Sequence, residues 1–146
     1  GRFRRAFEVG CSIGVLTRRL AERCDALLAV DVADAALSQA RTRCADLANV
    51  TFEKRQIPRQ WPDGSFDLIV LSEVLYYLST ADLAVTAARA RASLDAAGAM
   101  VLVHYILPTD YPLSGDRAAE LFIAGSGLTP SLQRREAGYR LDLLRA

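Results

Sequence analysis

The chain is poor in several of the residues that most often reveal a function. It has one histidine, one tryptophan, one methionine and three cysteines in 146 residues. Cys11, Cys24 and Cys44 form no C-x-x-C pair, and His104 is the lone histidine, so neither a disulfide framework nor a zinc site is readable. Unpaired thiols suit a reducing compartment, and a cytoplasmic protein is expected. Charge of one sign is also missing. Eighteen Lys and Arg stand against 17 Asp and Glu, a net +1, which removes the electrostatic case for nucleic acid or an anionic membrane as partner. No apolar run approaches the ~20 residues of a membrane span. The opening segment Gly1–Glu8 carries Arg2, Arg4 and Arg5 but no apolar stretch, so it does not read as a secretory signal. Those arginines are expected on a solvated face, with a phosphate or acidic-sugar contact as the sharper alternative.

What the chain does have is the balance of a single globular domain over residues 1–146: 51% hydrophobic and 24% charged. Strand-like and helix-like segments alternate throughout, without repeats or linkers, which predicts an α/β fold on a mostly parallel sheet. Expected strands are Arg5–Val9, Ala26–Val30, Val50–Glu53, Phe66–Leu71 and Ala99–Tyr105. Expected helices are Val15–Cys24, Ala33–Leu47, one opened by Ser79 or Thr80 and running to Leu94, and one from Ser114 or Asp116 to about Ala124. Gly98 is placed just past the third helix. Leu128–Arg134 and Tyr139–Leu144, separated by Ala137-Gly138, predict a closing antiparallel hairpin.

The most informative segment is Glu8-Val9-Gly10-Cys11-Ser12-Ile13-Gly14, between the first strand and first helix. Small residues there let backbone approach a ligand, and a helix start offers free N–H groups. A dinucleotide fingerprint would need glycines where Ser12 and Val15 stand, which disfavours a nicotinamide or nucleotide-sugar enzyme. The spacing present, E-x-G-x-S-x-G, resembles the first motif of class I S-adenosylmethionine-dependent methyltransferases, with Ser12 for the usual middle glycine. The alternative is a plain tight turn. Asp31 ends the second strand, roughly 20 residues past Gly10, where an acid takes both ribose hydroxyls. Its other reading is a helix N-cap, a job for which Asp34 is available. Trp61-Pro62-Asp63-Gly64-Ser65-Phe66-Asp67 resembles the same family's turn into the fourth strand, and Asp67 is expected to order its surroundings rather than catalyse. Ser72 and Glu73 follow at the carboxyl end of that strand, where open α/β sheets bind ligands.

The run Leu71-Ser72-Glu73-Val74-Leu75-Tyr76-Tyr77-Leu78 narrows the resemblance to the nodulation protein S family, whose members N-methylate an amino sugar. The likeness covers roughly Arg5 to Leu78. It implies a Rossmann-like sheet of seven strands in the order 3-2-1-4-5-7-6, the last antiparallel, with helices on both faces. It implies S-adenosylmethionine as cofactor and S-adenosylhomocysteine as product. The cofactor-binding residues it points to are Glu8, Gly10, Cys11, Ser12, Gly14, Asp31, Val32, Gln56, Ile57, Ser72 and Glu73. Gln56 stands where the family commonly has an acid for the adenine amino group, and Arg55 and Gln56 read equally as solvated loop. Class I relatives also carry helices ahead of the first strand. Few residues precede it here, so a shortened N-terminus and an open cleft between Gly10–Gly14 and Ser72–Tyr77 are expected.

Methyl transfer needs alignment, a dry pocket and a neutral nucleophile. The catalytic candidates are His104, Glu73 and Tyr76, with Asp110 as a further strand-end acid. His104 reads either as a base or as a hydrogen-bonded strand residue. Of Tyr76 and Tyr77, at most one is required to face the site. The expected acceptor is an amino sugar or a saccharide-like small molecule. The alternatives are O-methylation of a small molecule and a catalytically silent binding module.

Overall fold

The computed structural model describes Gly1–Ala146 and gathers the alternating segments around one sheet of seven strands. The first half runs β1 (Phe3–Val9), α1 (Val15–Ala21), β2 (Cys24–Asp31), α2 (Asp34–Arg43) and β3 (Val50–Lys54). The second runs β4 (Phe66–Ser72), α3 (Thr80–Ser93), β5 (Leu94–Tyr105), α4 (Gly115–Ser126), β6 (Pro130–Arg135) and β7 (Tyr139–Arg145). The strand order is β3-β2-β1-β4-β5-β7-β6. β1 pairs in parallel with both β2 and β4, and β7 runs antiparallel between β5 and β6. This is the order the resemblance implied, with the closing hairpin where Ala137-Gly138 predicted it.

Period-two alternation divides the core between the sheet's faces. Phe7, Val9, Ile69, Leu71, Met100 and Leu102 pack with Leu83 and Ala87 of α3 and Phe122 of α4. Ala6, Leu27, Leu68 and Val70 turn the other way, towards Ala21 of α1, while Leu37 of α2 packs on Ala29. Each large side chain buried this way contributes roughly 1.5–3 kcal/mol. Phe7 stacks on Phe66 with centroids 5.1 Å apart and makes a T-shaped contact with Trp61 at 5.0 Å. The Trp61 indole N–H donates to Ser93 Oγ at 3.1 Å, which fastens the β3–β4 connection to α3. No helix is long and apolar enough to cross a membrane.

Several element boundaries differ from expectation. Cys24 is not on the first helix: α1 stops at Ala21, and Cys24 pairs with Phe3 as the first residue of β2. α2 ends at Arg43 rather than Leu47. Asp34 lies inside α2 and pairs with Lys54 at 2.9 Å; the N-cap position is Ala33, without a side-chain cap. Gly98 does not follow a helix. β5 begins directly after α3 with Leu94 opposite Phe66, and an irregularity shifts the register before Ala99 meets Leu68. The opening arginines are held locally: Arg2 pairs with Asp25, Arg4 with Asp95, and Arg5 lies over the Phe66 ring. Asp67 accepts the Arg4 and Arg5 backbone N–H groups at 2.7 and 2.9 Å, an ordering role for the start of β1.

Candidate functional site

The carboxyl ends of β1, β2 and β4 meet at one cleft. The chain has two non-glycine residues with positive φ, Ser12 at 50° and Glu73 at 58°, and both line this cleft. Such backbone conformations are costly for L residues and concentrate where function requires them. Gly10 makes the convergence possible. With φ at 79°, a Cβ there would lie 2.2 Å from Val74 Cγ1 and 3.2 Å from the Ser72 carbonyl oxygen. The Gly10 and Cys11 N–H groups both donate to the Val30 carbonyl at 2.9 Å, tying the loop to the end of β2.

The cleft has a volume of about 410 Å³. Gly10, Ser12, Asp31, Val32, Ile57, Ser72 and Glu73 line it, as the sequence led us to expect, together with Arg55, Val74, Tyr77 and Leu78. Asp31 Oδ2 accepts the Ser12 N–H at 2.9 Å and Oδ1 accepts the Ala33 N–H at 3.0 Å. Each oxygen keeps a second lone pair, so the carboxylate is held rigidly and can still accept from a ligand. Arg55 is fixed in the wall by Glu53 at 2.5 Å and by the Gln60 carbonyl at 2.9 Å.

Other expected site residues stand elsewhere. Gln56 is exposed and does not line the cleft, and its N–H is taken by the Gln60 side chain at 2.7 Å. Ile57 and Arg55 form that wall instead. Glu8 is buried beneath the loop on the α1 side, where Oε1 accepts from the Thr17 hydroxyl and Oε2 has no partner. Burial raises its pKa to about 7, with Asp31 adding to the rise against the Thr17 hydrogen bond. Gly14 packs on α2, where a Cβ would come within 3.0 Å of Ala40. Cys11 lines an adjoining hollow, but burial, Glu8 and Asp31 push its thiol up to about 12, so no thiolate is on offer.

Glu73 is the pivot of the site. It lines the cleft, the hollow beside α1 and a third cavity of about 550 Å³. Its Oε1 accepts the Tyr105 N–H at 2.9 Å, and Oε2 accepts the Tyr76 hydroxyl. Tyr76 is buried, and burial and then Glu73 raise its phenol pKa far above the ordinary value. Both Tyr76 and Tyr77 face the third cavity, whereas only one was required to. Tyr105, Tyr111 and Tyr139 complete its aromatic wall, beside Gly138. Sequence reasoning missed these three because they come from separate segments with no spacing to link them.

His104 lies under the floor rather than on it. It is fully buried, and Nε2 accepts the Leu75 N–H at 3.2 Å and the Val74 N–H at 3.4 Å. Accepting there places the proton of the neutral ring on Nδ1. Burial drives the pKa down to about 4, opposed by Asp142 and assisted by Arg140. With its lone pair committed to backbone, His104 has none to offer a substrate. Its position fits the bland reading, a buried hydrogen-bonded strand residue, and it anchors the turn that carries Glu73 and Tyr76.

Comparison with known proteins gives this geometry a family. Nodulation protein S of Bradyrhizobium diazoefficiens is 41% identical over 73 residues, covering 50% of this chain and 35% of the relative. The match thus spans about a third of the relative's length. A candidate methyltransferase from Pseudomonas syringae superposes with a TM-score of 0.87 at 34% identity, covering 99% of this chain and 88% of that one. The N-methyltransferase NodS of Bradyrhizobium japonicum WM9, solved with S-adenosylhomocysteine, shares the fold with a TM-score of 0.83 at 23% identity, covering 99% and 79%. The model of the nodulation protein S (NodS) family matches residues 1–102, from β1 through most of β5, and on that match this chain belongs to the nodulation protein S family.

Proposed function

We propose that this protein is an S-adenosylmethionine-dependent methyltransferase that N-methylates an amino sugar or a saccharide-like small molecule. The observation that carries the reading is the paired strain at Ser12 and Glu73 around one cleft of about 410 Å³. The cleft residues fit the cofactor. Gly10 and Ser12 offer a close backbone approach, and Asp31 is prepared to accept two ribose hydroxyls. Val32 and Ile57 supply apolar surface for a base. When bound, the cofactor supplies a methyl group already activated by its positive sulfur. The chain has only to align and to exclude water. Glu73 and Tyr77, just past β4, line both the cleft and the tyrosine-lined cavity, which makes that cavity the natural place for an acceptor.

A two-stage experiment tests the proposal. Thermal melting is followed with S-adenosylhomocysteine and, separately, with NAD; a rise with the first alone is expected. Labelled S-adenosylmethionine is then offered with glucosamine oligomers and with their N-acetylated forms, and label is expected only on the free amines. Label only on hydroxyl acceptors replaces N- by O-methylation. Binding without transfer to any acceptor reduces the chain to a binding module. Stabilisation by NAD alone rejects the reading outright.

A further inference from the structure

The end of the cofactor cleft where β2 and β3 finish side by side carries a cation that methyl transfer leaves unused. Arg55 follows β3 directly, and its backbone N–H donates to the Asp31 carbonyl at 3.1 Å. Its side chain therefore starts beside the residue that faces the ribose. That side chain is 29% exposed and lines the cleft with Val32 and Ile57. Two contacts fix it. Nε donates to Glu53 Oε2 at 2.5 Å, and Nη1 donates to the Gln60 carbonyl at 2.9 Å. A guanidinium carries its N–H donors in a rigid planar fork and has no acceptor. The other N–H groups of Arg55, including both on Nη2, have no partner in the protein. Glu53 offsets the charge, so Arg55 offers directed donors rather than a trap for an anion.

No side chain at this end of the cleft balances those donors with an acceptor for a base. The remaining polar side chains of the cleft are Ser12 and Asp31, where the ribose is expected, and Ser72, Glu73 and Tyr77 on the β4 side. Gln56 is exposed and does not line the cleft. A purine lying against Val32 and Ile57 thus meets a donor beside its edge. The 6-position decides what that donor can do. The N6/N7 edge of adenine offers an acceptor at N7 but a donor at N6, a pattern that a Gln carboxamide matches. The O6/N7 edge of a 6-oxopurine offers two acceptors, which a guanidinium fork meets with two bonds.

We propose that Arg55 is the base-reading residue of this cleft, donating to purine acceptors, and that the chain therefore admits a 6-oxopurine cofactor about as readily as the 6-amino form. This rests on the methyltransferase reading above and adds to it which part of the cofactor goes unread, the 6-amino group. The role belongs to cofactor choice and not to the transfer step, because Arg55 is placed by β3 and Asp31 on the ribose side of the cleft, away from Ser72 and Glu73 at the β4 end.

The probes are S-adenosylhomocysteine and its deaminated form, S-inosylhomocysteine, which differ at the purine 6-position and the adjoining N1 proton. Calorimetric titration of the parent should give dissociation constants within about threefold of each other, since one edge gains a bond and the other loses none. Arg55→Gln supplies the donor and acceptor that match adenine, and should shift the ratio at least about fivefold towards the adenosyl form. Arg55→Met removes the donors and keeps an apolar stem; the inosyl form should lose at least about threefold more affinity than the adenosyl form. Melting of the unliganded variants checks that they fold, and the parent ratio decides even if neither does. A larger parent preference for the adenosyl form overturns Arg55 as the base reader and leaves the methyltransferase reading standing. So does a ratio unchanged in both variants, the result that stacking on the base would give. Binding of neither ligand to the folded parent removes the methyltransferase reading, and the role of Arg55 with it.

Discussion

Glu8 holds its charge at a cost that depends on pH. Its pKa rises from 4.5 to about 7, mainly by burial, so the folded state keeps a proton that the unfolded state has released. Between those values the native form binds more protons, and stability must fall as pH rises. The penalty is complete above about pH 7, with an upper bound on the order of 3 kcal/mol. Glu8→Gln cannot titrate. Chemical denaturation from pH 5 to 7.5 should show the parent losing stability relative to this variant, and parallel curves would disprove the raised pKa. The positions of Gly10 and Asp31 at the cleft were legible in the sequence because a turn and a strand end set them locally. The burial of His104 was not. It depends on a turn about 30 residues away folding over the ring and donating two N–H groups to it. Gln56 misled for a similar reason. Spacing counts residues, but the Gln60 side chain captures the local backbone and leaves Arg55 and Ile57 as the wall.

Elements were legible wherever local chemistry decides them. Ser79 and Ser114 accept from Asp82 and Arg117 N–H groups and cap α3 and α4, as their positions before helical patterns predict. The start of β5 was misread because Gly98 looks like a helix stop, while pairing with β4 pulls the strand back to Leu94. The loop between β1 and α1 offers the sharpest test at this scale. Gly10→Ala puts a methyl group 2.2 Å from Val74 Cγ1 in a left-handed backbone that costs an L residue roughly 1–2 kcal/mol. The Ser72–Val74 wall must move away. Melting should drop modestly, and S-adenosylhomocysteine affinity should fall at least about tenfold, as expected of a site displaced by a fraction of a bond length. Calorimetric titration of parent and variant decides it; unchanged affinity would mean that the two walls need not touch.

At the scale of the molecule, alternation predicted a parallel sheet, but strand order came only through family resemblance, because spacing cannot say which strand lies beside which. The tyrosine-lined cavity was hidden for the same reason: its rings come from the turn after β4, the end of β5, the loop before α4 and the start of β7. The position of β1 has a consequence for how the molecule comes into being. Its neighbours are β2, next in the chain, and β4, which begins only at Phe66. A nascent or refolding chain can join β1, β2 and β3 early, through short connections. It then waits for a long-range pairing that closes slowly. Half of the cleft, Gly10 to Val32, belongs to the early unit; the other half, Ser72 to Leu78, arrives with β4. In stopped-flow refolding, far-ultraviolet dichroism should therefore recover ahead of the capacity to capture S-adenosylhomocysteine. Simultaneous recovery would show that the whole sheet condenses in one event. The order of assembly makes ligand capture a clock for the last central pairing.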